Sequence, residues 1–500
     1  MKFGRLAVVT GLALLAAFGS AQQPGGTLRA AWAQDPVGLD PHITSARSSI
    51  QILENVLDTL VTLDAEQNVV PSLAESWSLS DDNLTWTFKL RSGVQFSSGR
   101  EMTADDVVYT FERLLDPETG SGQAYLLDGV TAVKAPDEGT VAFALTAPNP
   151  GLLTNLAGSK SVGIIARESV EDGTINTMPI GTGPFVIADY QPGVGLTLER
   201  NPNYWREGLP YLDSVDVQII TDENVRRSAL IAGDVDWTIA VPAQSVEELK
   251  NNSELVVDEV PAGAYWYIGL NLNREILSDV RVRQAVATAV NRDNVAQAAA
   301  FGNAQPTQDP IPSSSTWAFD YAPYEYDPAA AQALLAEAGY PDGFDLEIMP
   351  TTQYEESIRV AQVVQANLSQ IGIRATIRTL EWAEWLEEEG SGNYDTYICS
   401  WNGNVDPDDF YGAQHGTGEV FNFTGYSNPK VDELLSEGKN TADVEARRKI
   451  YAQINKQVVD DAPYVYLYNP LEINVYRTTV KGYEARADQA IRFVETYLEQ

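Results

Sequence analysis

The sequence has few of the residues that most often carry catalysis or bind metals: it contains one cysteine and two histidines in 500 residues. The single cysteine, Cys399, cannot form a disulfide within the chain, so the fold must depend on its apolar core. Cys399 lies in the run YDTYICSW, which favours a buried strand over a reactive thiol. His42 and His415 lie far apart and match no metal-binding spacing, so we expect no metal and no cofactor.

Positive charge is scarce as well, with 33 Lys and Arg residues against 70 Asp and Glu residues. The formal net charge of −37 repels phosphate groups, which excludes nucleic acid as a partner and disfavours anionic membrane surfaces. The sequence also lacks the G-x-S-x-G, P-loop and G-x-G-x-x-G motifs. We therefore do not expect an enzyme, and a secreted hydrolase is the less favoured alternative.

Long apolar runs are missing after the first residues. The chain opens MKFGRLAVVTGLALLAAFGSAQQ, in which Lys2 and Arg5 precede an apolar core at 6–18 and small residues occupy 19–21. This pattern is typical of a secretory signal peptide that is cleaved after Ala21. The apolar core is too short to cross a bilayer, which takes about 20 residues. We therefore expect a periplasmic or secreted protein without membrane insertion.

Two rhythms of apolar residues divide the rest of the chain. Residues 84–90, LTWTFKL, alternate strictly and predict a half-buried strand, and a capping box at Thr103 predicts that a helix follows. From residue 344 onward, strands and helices alternate in the manner of a parallel-rich α/β unit. The sequence therefore predicts an α/β protein with two α/β parts and an insertion rich in alternating strands at 58–172.

Four blocks of sequence carry a resemblance to a known family. The most specific block is PSLAESWSLSDDNLTWTFKLRSGVQFSSGREMTADDVVYTFERLLDP, which combines a tryptophan-containing hairpin, a glycine turn and a T-A-x-D-V helix. In chain order the blocks are residues 71–117, 181–205, 270–293 and 425–435. In these blocks the chain resembles the family 5 extracellular solute-binding proteins, which are the peptide-, oligopeptide- and nickel-binding subunits of ABC importers.

The resemblance implies a type II periplasmic-binding-protein fold. In this fold two α/β lobes are joined by two crossover strands, which we expect near 265–270 and 463–467, and an extra α+β subdomain is inserted in the first lobe. Hinge closure would bury a small ligand between the lobes, and the closed monomer would deliver it to a membrane permease. The boundaries we expect are a lobe I core at 22–57, 173–265 and 468–500, an inserted subdomain at 58–172 and lobe II at 266–467.

The resemblance also implies how the ligand's amine is held. Peptide-binding members use an Asp that lies three residues after a tryptophan in the second lobe. Trp401 matches this tryptophan, but Asn404 occupies the position of the Asp. Asp406 or Asp408 could take over this role from the same loop, because an ammonium group needs a carboxylate partner.

The ligand's carboxylate raises the same question. Members selective for dipeptides place an arginine shortly before a tyrosine that precedes a helix. Tyr354 matches the tyrosine, but Thr352 stands where the arginine would be, and Arg359 follows in the next helix. The missing anchors argue against a strict dipeptide binder. They leave longer or modified peptides, or a neutral ligand such as an oligosaccharide.

Further ligand contacts are expected from both lobes. Tyr265 and Trp266 belong to an aromatic strand that would lie at the base of the cleft, and stacking on these rings or on Trp401 would suit a sugar. In the first lobe, by similarity, the loop of Thr44, Ser45 and Ala46 would present main-chain groups to the ligand.

Overall fold

The computed structural model describes residues 25–44, 46–158, 162–403 and 405–499. The predicted signal peptide at 1–21 lies outside these ranges. None of the helices in the described part of the chain is long and apolar enough to cross a membrane.

The first half of the chain is rich in strands. Its elements, in chain order, are β1 (Thr27–Trp32), α1 (Arg47–Leu53), β2 (Val61–Leu63), β3 (Val69–Pro71), β4 (Ala74–Leu79), β5 (Thr85–Leu90), α2 (Ala104–Leu115), β6 (Val130–Asp137), β7 (Thr140–Leu145), α3 (Gly151–Gly158), α4 (Arg167–Glu171), β8 (Phe185–Gln191), β9 (Gly195–Arg200), β10 (Ser214–Ile219), α5 (Glu223–Ala232), β11 (Trp237–Ile239), α6 (Val246–Lys250) and β12 (Leu255–Pro261).

Helices dominate the second half. Its elements are β13 (Ala264–Leu270), α7 (Glu275–Ser278), α8 (Val280–Ala289), α9 (Arg292–Ala299), β14 (Ala304–Pro306), α10 (Pro328–Glu337), β15 (Asp345–Met349), α11 (Glu355–Ser369), β16 (Arg374–Ile377), α12 (Trp382–Ser391), β17 (Thr396–Asn402), α13 (Pro407–His415), α14 (Pro429–Asn440), α15 (Val444–Asp461), β18 (Tyr464–Arg477), β19 (Val480–Lys481) and β20 (Tyr497–Leu498).

The inserted region forms its own antiparallel sheet, with strand order β4-β5-β7-β6. Strand β5 buries Trp86, Phe88 and Leu90 on one face, as its alternation predicts. Helix α2 covers this face, and its N-terminus carries the predicted capping box between Thr103 and Asp106. Local patterns therefore determine this subdomain, because each apolar stripe has one face to bury.

The two lobes share one long sheet, in which the strand order is β16-β15-β17-β13-β18-β11-β1-β10-β9-β8. Strand β15 pairs in parallel with β16 and β17, and α11 and α12 connect these strands. The alternation of strands and helices predicted from residue 344 is confirmed in this lobe. In the first lobe, β1 pairs in parallel with β10 and β11.

Strand β18 connects the lobes. Its first half, from Tyr464 to Tyr468, pairs with β13 in lobe II, and its second half, from Leu471 onward, pairs with β12 in lobe I. The other connection is the short link between β12 and β13, where the Ala262 N–H donates to the Pro470 carbonyl at 2.9 Å. The sequence predicts the crossings within the aromatic segments 265–270 and 463–467. Both segments are strands of lobe II, and each crossing lies next to its segment instead.

Candidate functional site

A cavity of about 450 Å³ opens between the lobes where β18 crosses from one to the other. Lobe I contributes the end of β1, the start of α1 and residues 239–241 and 243, and lobe II contributes the residues just after α9 and the first turns of α11. The crossing strand itself supplies residues 470–473. A cavity bounded by both lobes and by their connection changes shape when the lobes move, so we take this cleft as the candidate site.

Arg47 brings a positive charge to the cleft from lobe I. It is the first residue of α1, directly after Ala46, and its side chain is 48% exposed. One guanidinium nitrogen donates to Glu472 on the crossing strand at 2.9 Å, and another donates to the side-chain oxygen of Gln489. Both terminal nitrogens therefore have partners, and the half-exposed side chain lines the cavity.

Arg359 brings a second positive charge from lobe II. Its Nε donates to the Ala299 carbonyl at 2.8 Å, and its guanidinium lies over the Phe301 ring, 5.2 Å from the centroid. The nearest carboxylate is that of Glu355, at 3.8 Å on the preceding turn. A guanidinium held through Nε keeps its two terminal nitrogens available for a carboxylate.

Glu356 places a carboxyl group beside these cations. It lines the cleft and accepts a hydrogen bond from the Tyr468 hydroxyl at 2.7 Å. Burial raises the pKa of Glu356 above its usual range, and Arg359 acts in the opposite direction. The cleft therefore offers both signs of charge, which is the combination needed for a ligand with amine and carboxylate groups.

The loop after β17 lies at the hinge between the lobes. Asn404 lies outside the described residues, but the Gly403 N–H next to it donates to the Gly263 carbonyl at 2.9 Å, and the Gly263 N–H donates to Ala487 of lobe I at 3.0 Å. Residues 402, 403 and 405 border a separate, small cavity of about 60 Å³ together with residues 487–489. The structure thus places the described part of the predicted anchor loop beside the link between β12 and β13, and none of these residues lines the cleft.

Trp401, three residues before Asn404, is half-buried at the end of β17. Its indole Nε1 donates to the Asp409 carbonyl at 3.4 Å, and its ring meets Phe421 edge-on with centroids 5.0 Å apart. These contacts fix the ring against lobe II. Its role as a ligand contact stays a prediction.

Asp406 does not offer a free carboxylate. Its two oxygens accept hydrogen bonds from the two terminal nitrogens of Arg447 at 2.6 and 2.8 Å, and both side chains are about 5% exposed. The same carboxylate caps α13 by accepting from the Asp408 N–H at 2.9 Å. This arrangement argues against the predicted role of Asp406 as an amine anchor, because the buried arginine already neutralises it.

Asp408 faces a different groove, between lobe II and the inserted subdomain. It accepts a hydrogen bond from the Tyr451 hydroxyl at 2.9 Å, and Lys439 lies 3.4 Å away. Burial raises its pKa above the usual range. Asp408 is absent from the described residues that line the cleft, so its predicted contact with a ligand there is not supported by its position.

The aromatic strand β13 is a core strand. Tyr265 is fully buried and its hydroxyl donates to Gln414, while Trp266 is 5% exposed. These rings therefore present almost no surface to a ligand, contrary to the predicted stacking. The prediction that these rings contact a ligand depended on β13 being the crossover between the lobes. The chain instead crosses just before β13, between residues 261 and 264.

Two predicted segments border the cleft. Tyr354 caps α11, is 39% exposed and meets the rings of Trp266 and Trp382 edge-on. Exposed Thr352 lies in the same loop, where its N–H donates to the Leu380 carbonyl at 2.9 Å. The charged residues of α11 that line the cleft begin two residues after Tyr354, so this loop leads directly into the site.

The predicted first-lobe loop precedes α1. Thr44 is 6% exposed and donates to the Val37 carbonyl at 3.1 Å, Ser45 lies outside the described residues, and Ala46 caps the helix. This loop sets the position of Arg47, which the sequence does not single out. Arg47 directly follows the predicted loop, and that adjacency is the signal by which it could be found.

The architecture defines a class of protein before any comparison. Two α/β lobes that share a sheet and enclose a cleft at their crossing strands make a type II periplasmic binding protein, so the predicted fold is confirmed. The family model for bacterial extracellular solute-binding proteins, family 5 middle, matches residues 68–422. The chain belongs to this family, and the prediction of a solute-binding protein rather than a hydrolase is confirmed.

Similar proteins span nearly the whole chain. The probable di/tripeptide-binding protein 5 of Pseudomonas aeruginosa is 32% identical, over 88% of this chain and 89% of its own length. The glutathione-binding protein GsiB of Pectobacterium atrosepticum is 27% identical, over 92% of each. Among solved structures, the periplasmic binding protein DppA of Helicobacter pylori in complex with the peptide STSA superposes with a TM-score of 0.75, at 28% identity, covering 96% of this chain and 99% of DppA.

Proposed function

We propose that this protein binds a short peptide in the cleft between its lobes, as a monomer, and delivers it to the permease of an ABC importer. The names of the relatives support a peptide of two or three residues, since they bind di- and tripeptides or glutathione. A cavity of about 450 Å³ has the size of such ligands.

The observation that carries this proposal is that guanidinium groups from opposite lobes line one cavity. Among the described residues, nothing accepts a hydrogen bond from the terminal nitrogens of Arg359 in lobe II, although Glu355 lies 3.8 Å from one of them, and Arg47 of lobe I is half exposed. Closing the lobes removes water from both groups, which strengthens their attraction for a ligand carboxylate. A ligand that joins the two arginines therefore favours the closed form.

The same residues narrow the class of peptide. Two arginines call for two carboxylates, one of which would take the place of Glu472 on Arg47, and the carboxyl groups of Glu356 and the displaced Glu472 would then face one amine. Glutathione has this set of groups, whereas an ordinary tripeptide with neutral side chains has one carboxylate fewer. We infer a preference for short peptides that carry an extra acidic group.

An oligosaccharide fits the cleft less well. Its support was ring stacking on Tyr265, Trp266 or Trp401. The first two rings are buried in lobe II, and Trp401 packs against Phe421 and is absent from the described residues that line the cleft. The cleft instead exposes charged side chains, which suit an ionic ligand.

Titration calorimetry on the mature protein tests the proposal with reduced glutathione, tri-alanine and maltotriose. We expect glutathione to bind more tightly than tri-alanine, and maltotriose not to bind. Losing the charge-assisted bonds of Arg359 costs about 1.5–3 kcal/mol, so Arg359→Ala should weaken glutathione about 10- to 100-fold. The matched control is Arg374→Ala, because Arg374 is exposed in lobe II and pairs with Asp345 at 2.6 Å.

Two results would contradict the proposal. One is binding of maltotriose without binding of either peptide. The other is an unchanged glutathione affinity in Arg359→Ala, which would mean that the ligand lies elsewhere. Light scattering tests the monomer, and loss of uptake of the labelled peptide on deletion of the gene tests delivery to the importer.

A further inference from the structure

A second cavity, of about 380 Å³, lies between the lobe I core and the inserted subdomain. Residues 54, 55, 184, 204–206, 492 and 494 line it from the core side, and residues 58, 62, 70–72 and 91 line it from the subdomain. In the described part of the chain it shares no lining residue with the cleft. Two of the sequence blocks that carry the family resemblance, 71–117 and 181–205, both contribute lining residues to this cavity. The proposed peptide binding does not involve these residues.

Trp205 and Arg91 form one wall of this second cavity. The Arg91 Nε donates to the Ser72 carbonyl at 2.6 Å, and the guanidinium lies over the Trp205 ring, 4.9 Å from its centroid. Within the described ranges, its two terminal nitrogens have no hydrogen-bond acceptor. Arg91 is therefore held in a fixed orientation with its carboxylate-binding edge unused.

Asp58 lies at the opposite edge of the same indole. One of its oxygens accepts from the Trp205 Nε1 at 2.9 Å and from the Thr182 hydroxyl at 3.1 Å. The other oxygen has no donor among the residues that the structure describes. A carboxylate and a guanidinium are thus fixed on the two sides of Trp205, each with hydrogen-bonding capacity left over.

The other charged groups of the cavity are already paired. Arg206 donates to Glu495 at 2.6 Å, and Arg492 donates to Glu54 at 2.8 Å. In the described part of the chain, Arg91 and Asp58 are then the charged groups of the lining with unused hydrogen-bonding positions, and Asp58 also lies within electrostatic reach of Arg492. Apolar side chains complete the walls, and these are Val70, Pro71, Pro184 and Val494.

We infer that this cavity binds a free amino acid with an apolar side chain. Its carboxylate would bind Arg91, its ammonium group would bind Asp58, and its side chain would pack on Trp205 and the apolar wall. Because lobe I and its inserted subdomain supply every lining residue, binding does not require closure of the lobes. The site is therefore independent of the peptide site proposed above.

Saturation-transfer NMR on the mature protein tests the inference with three matched probes. L-Leucine carries both charged groups, 4-methylpentanoate lacks the amine, and 3-methylbutylamine lacks the carboxylate. Leucine should show saturable transfer, and each analogue should bind at least about tenfold more weakly because one charge-assisted pair is lost. Arg91→Gln and Asp58→Asn should each weaken leucine by a similar factor.

Arg359→Ala is the control, since it alters the cleft and should leave leucine binding unchanged. Asp58→Asn preserves shape and serves if Arg91→Gln does not fold, which thermal unfolding will show. The inference is overturned if leucine gives no saturable transfer, if the three probes bind equally, or if Arg359→Ala abolishes leucine binding while Asp58→Asn does not. Failure of glutathione to bind would affect only the cleft proposal.

Discussion

Substitution of Asp406 can show whether its carboxylate anchors a ligand or forms a structural ion pair. If its carboxylate held the ligand, its loss would abolish binding in a protein of normal stability. The structure predicts the reverse, because Asp406 and Arg447 form two hydrogen bonds at 2.6 and 2.8 Å with both side chains about 95% buried. We therefore expect Asp406→Asn to destabilise the protein while leaving the ligand preference of the folded fraction unchanged.

The magnitude follows from what remains after the substitution. Asparagine keeps the size of the side chain and an oxygen that can cap α13, so the change mainly removes one charge. Arg447 is then a buried cation without its counter-ion, held by the Gly438 carbonyl at 2.9 Å and by the rings of Trp317 and Tyr451. Breaking a buried pair in this way costs about 3–5 kcal/mol.

Urea unfolding followed by circular dichroism measures this cost, and calorimetry with glutathione measures binding. The matched control is Glu433→Gln, which breaks the pair with Lys430 at 2.9 Å where both side chains are more than half exposed. That pair should contribute less than about 1 kcal/mol. A loss below about 1 kcal/mol in Asp406→Asn, or a stable variant that no longer binds glutathione, would refute the reasoning.

Three further predictions concern the buried acid, the thiol and the N-terminus. Burial raises the pKa of Glu389 to about 8, against 4.5 for an unperturbed Glu, so the folded state keeps a proton that the unfolded state releases as pH rises. The free energy of unfolding should therefore decrease as pH rises from about 4.5 to about 8. Glu389→Gln should stabilise the protein by about 3 kcal/mol at pH 7 and by little at pH 4. Urea titrations measure this, with the exposed Glu387→Gln as the neutral control. Burial raises the pKa of the Cys399 thiol to about 12, so iodoacetamide at pH 8 should label it only after denaturation, and fast labelling of the native protein would contradict this. Intact mass of the exported protein should correspond to a chain that begins at Gln22, and a different mass would disprove cleavage after Ala21.

The parts of the fold that follow from the sequence are those set by local spacing. The capping box of Thr103 and Asp106 is formed at the start of α2, and the alternation in 84–90 places Phe88 in the core. Each of these features depends on side chains within a few residues of one another. Their geometry is fixed once the backbone is helical or extended, and tertiary contacts have little freedom to change it.

The site follows less directly because its charges are paired across long separations. Nothing near Asp406 indicates that Arg447, 41 residues later, takes up its carboxylate, and nothing near Arg47 indicates Glu472. In a chain with 70 acids and 33 bases, most arginines have several possible partners in sequence. Only the fold decides which carboxylates are buried with an arginine and which remain open to a ligand.

The aromatic strand β13 shows how a shift of a few residues in the position of the crossing reverses the prediction of ligand contact. Tyr265 lies only a few residues beyond the crossing at 262–263, yet it is fully buried, because β13 has already entered the centre of the lobe II sheet between β17 and β18. On the return path the order is reversed: β18 leaves lobe II first, and Glu472 appears in the cleft just beyond Pro470. On these two strands, the residues that could touch a ligand in the proposed site are therefore those at the crossing itself. At that point neither lobe covers the chain on both faces, and the charged side chains there are the ones whose partners a ligand can replace.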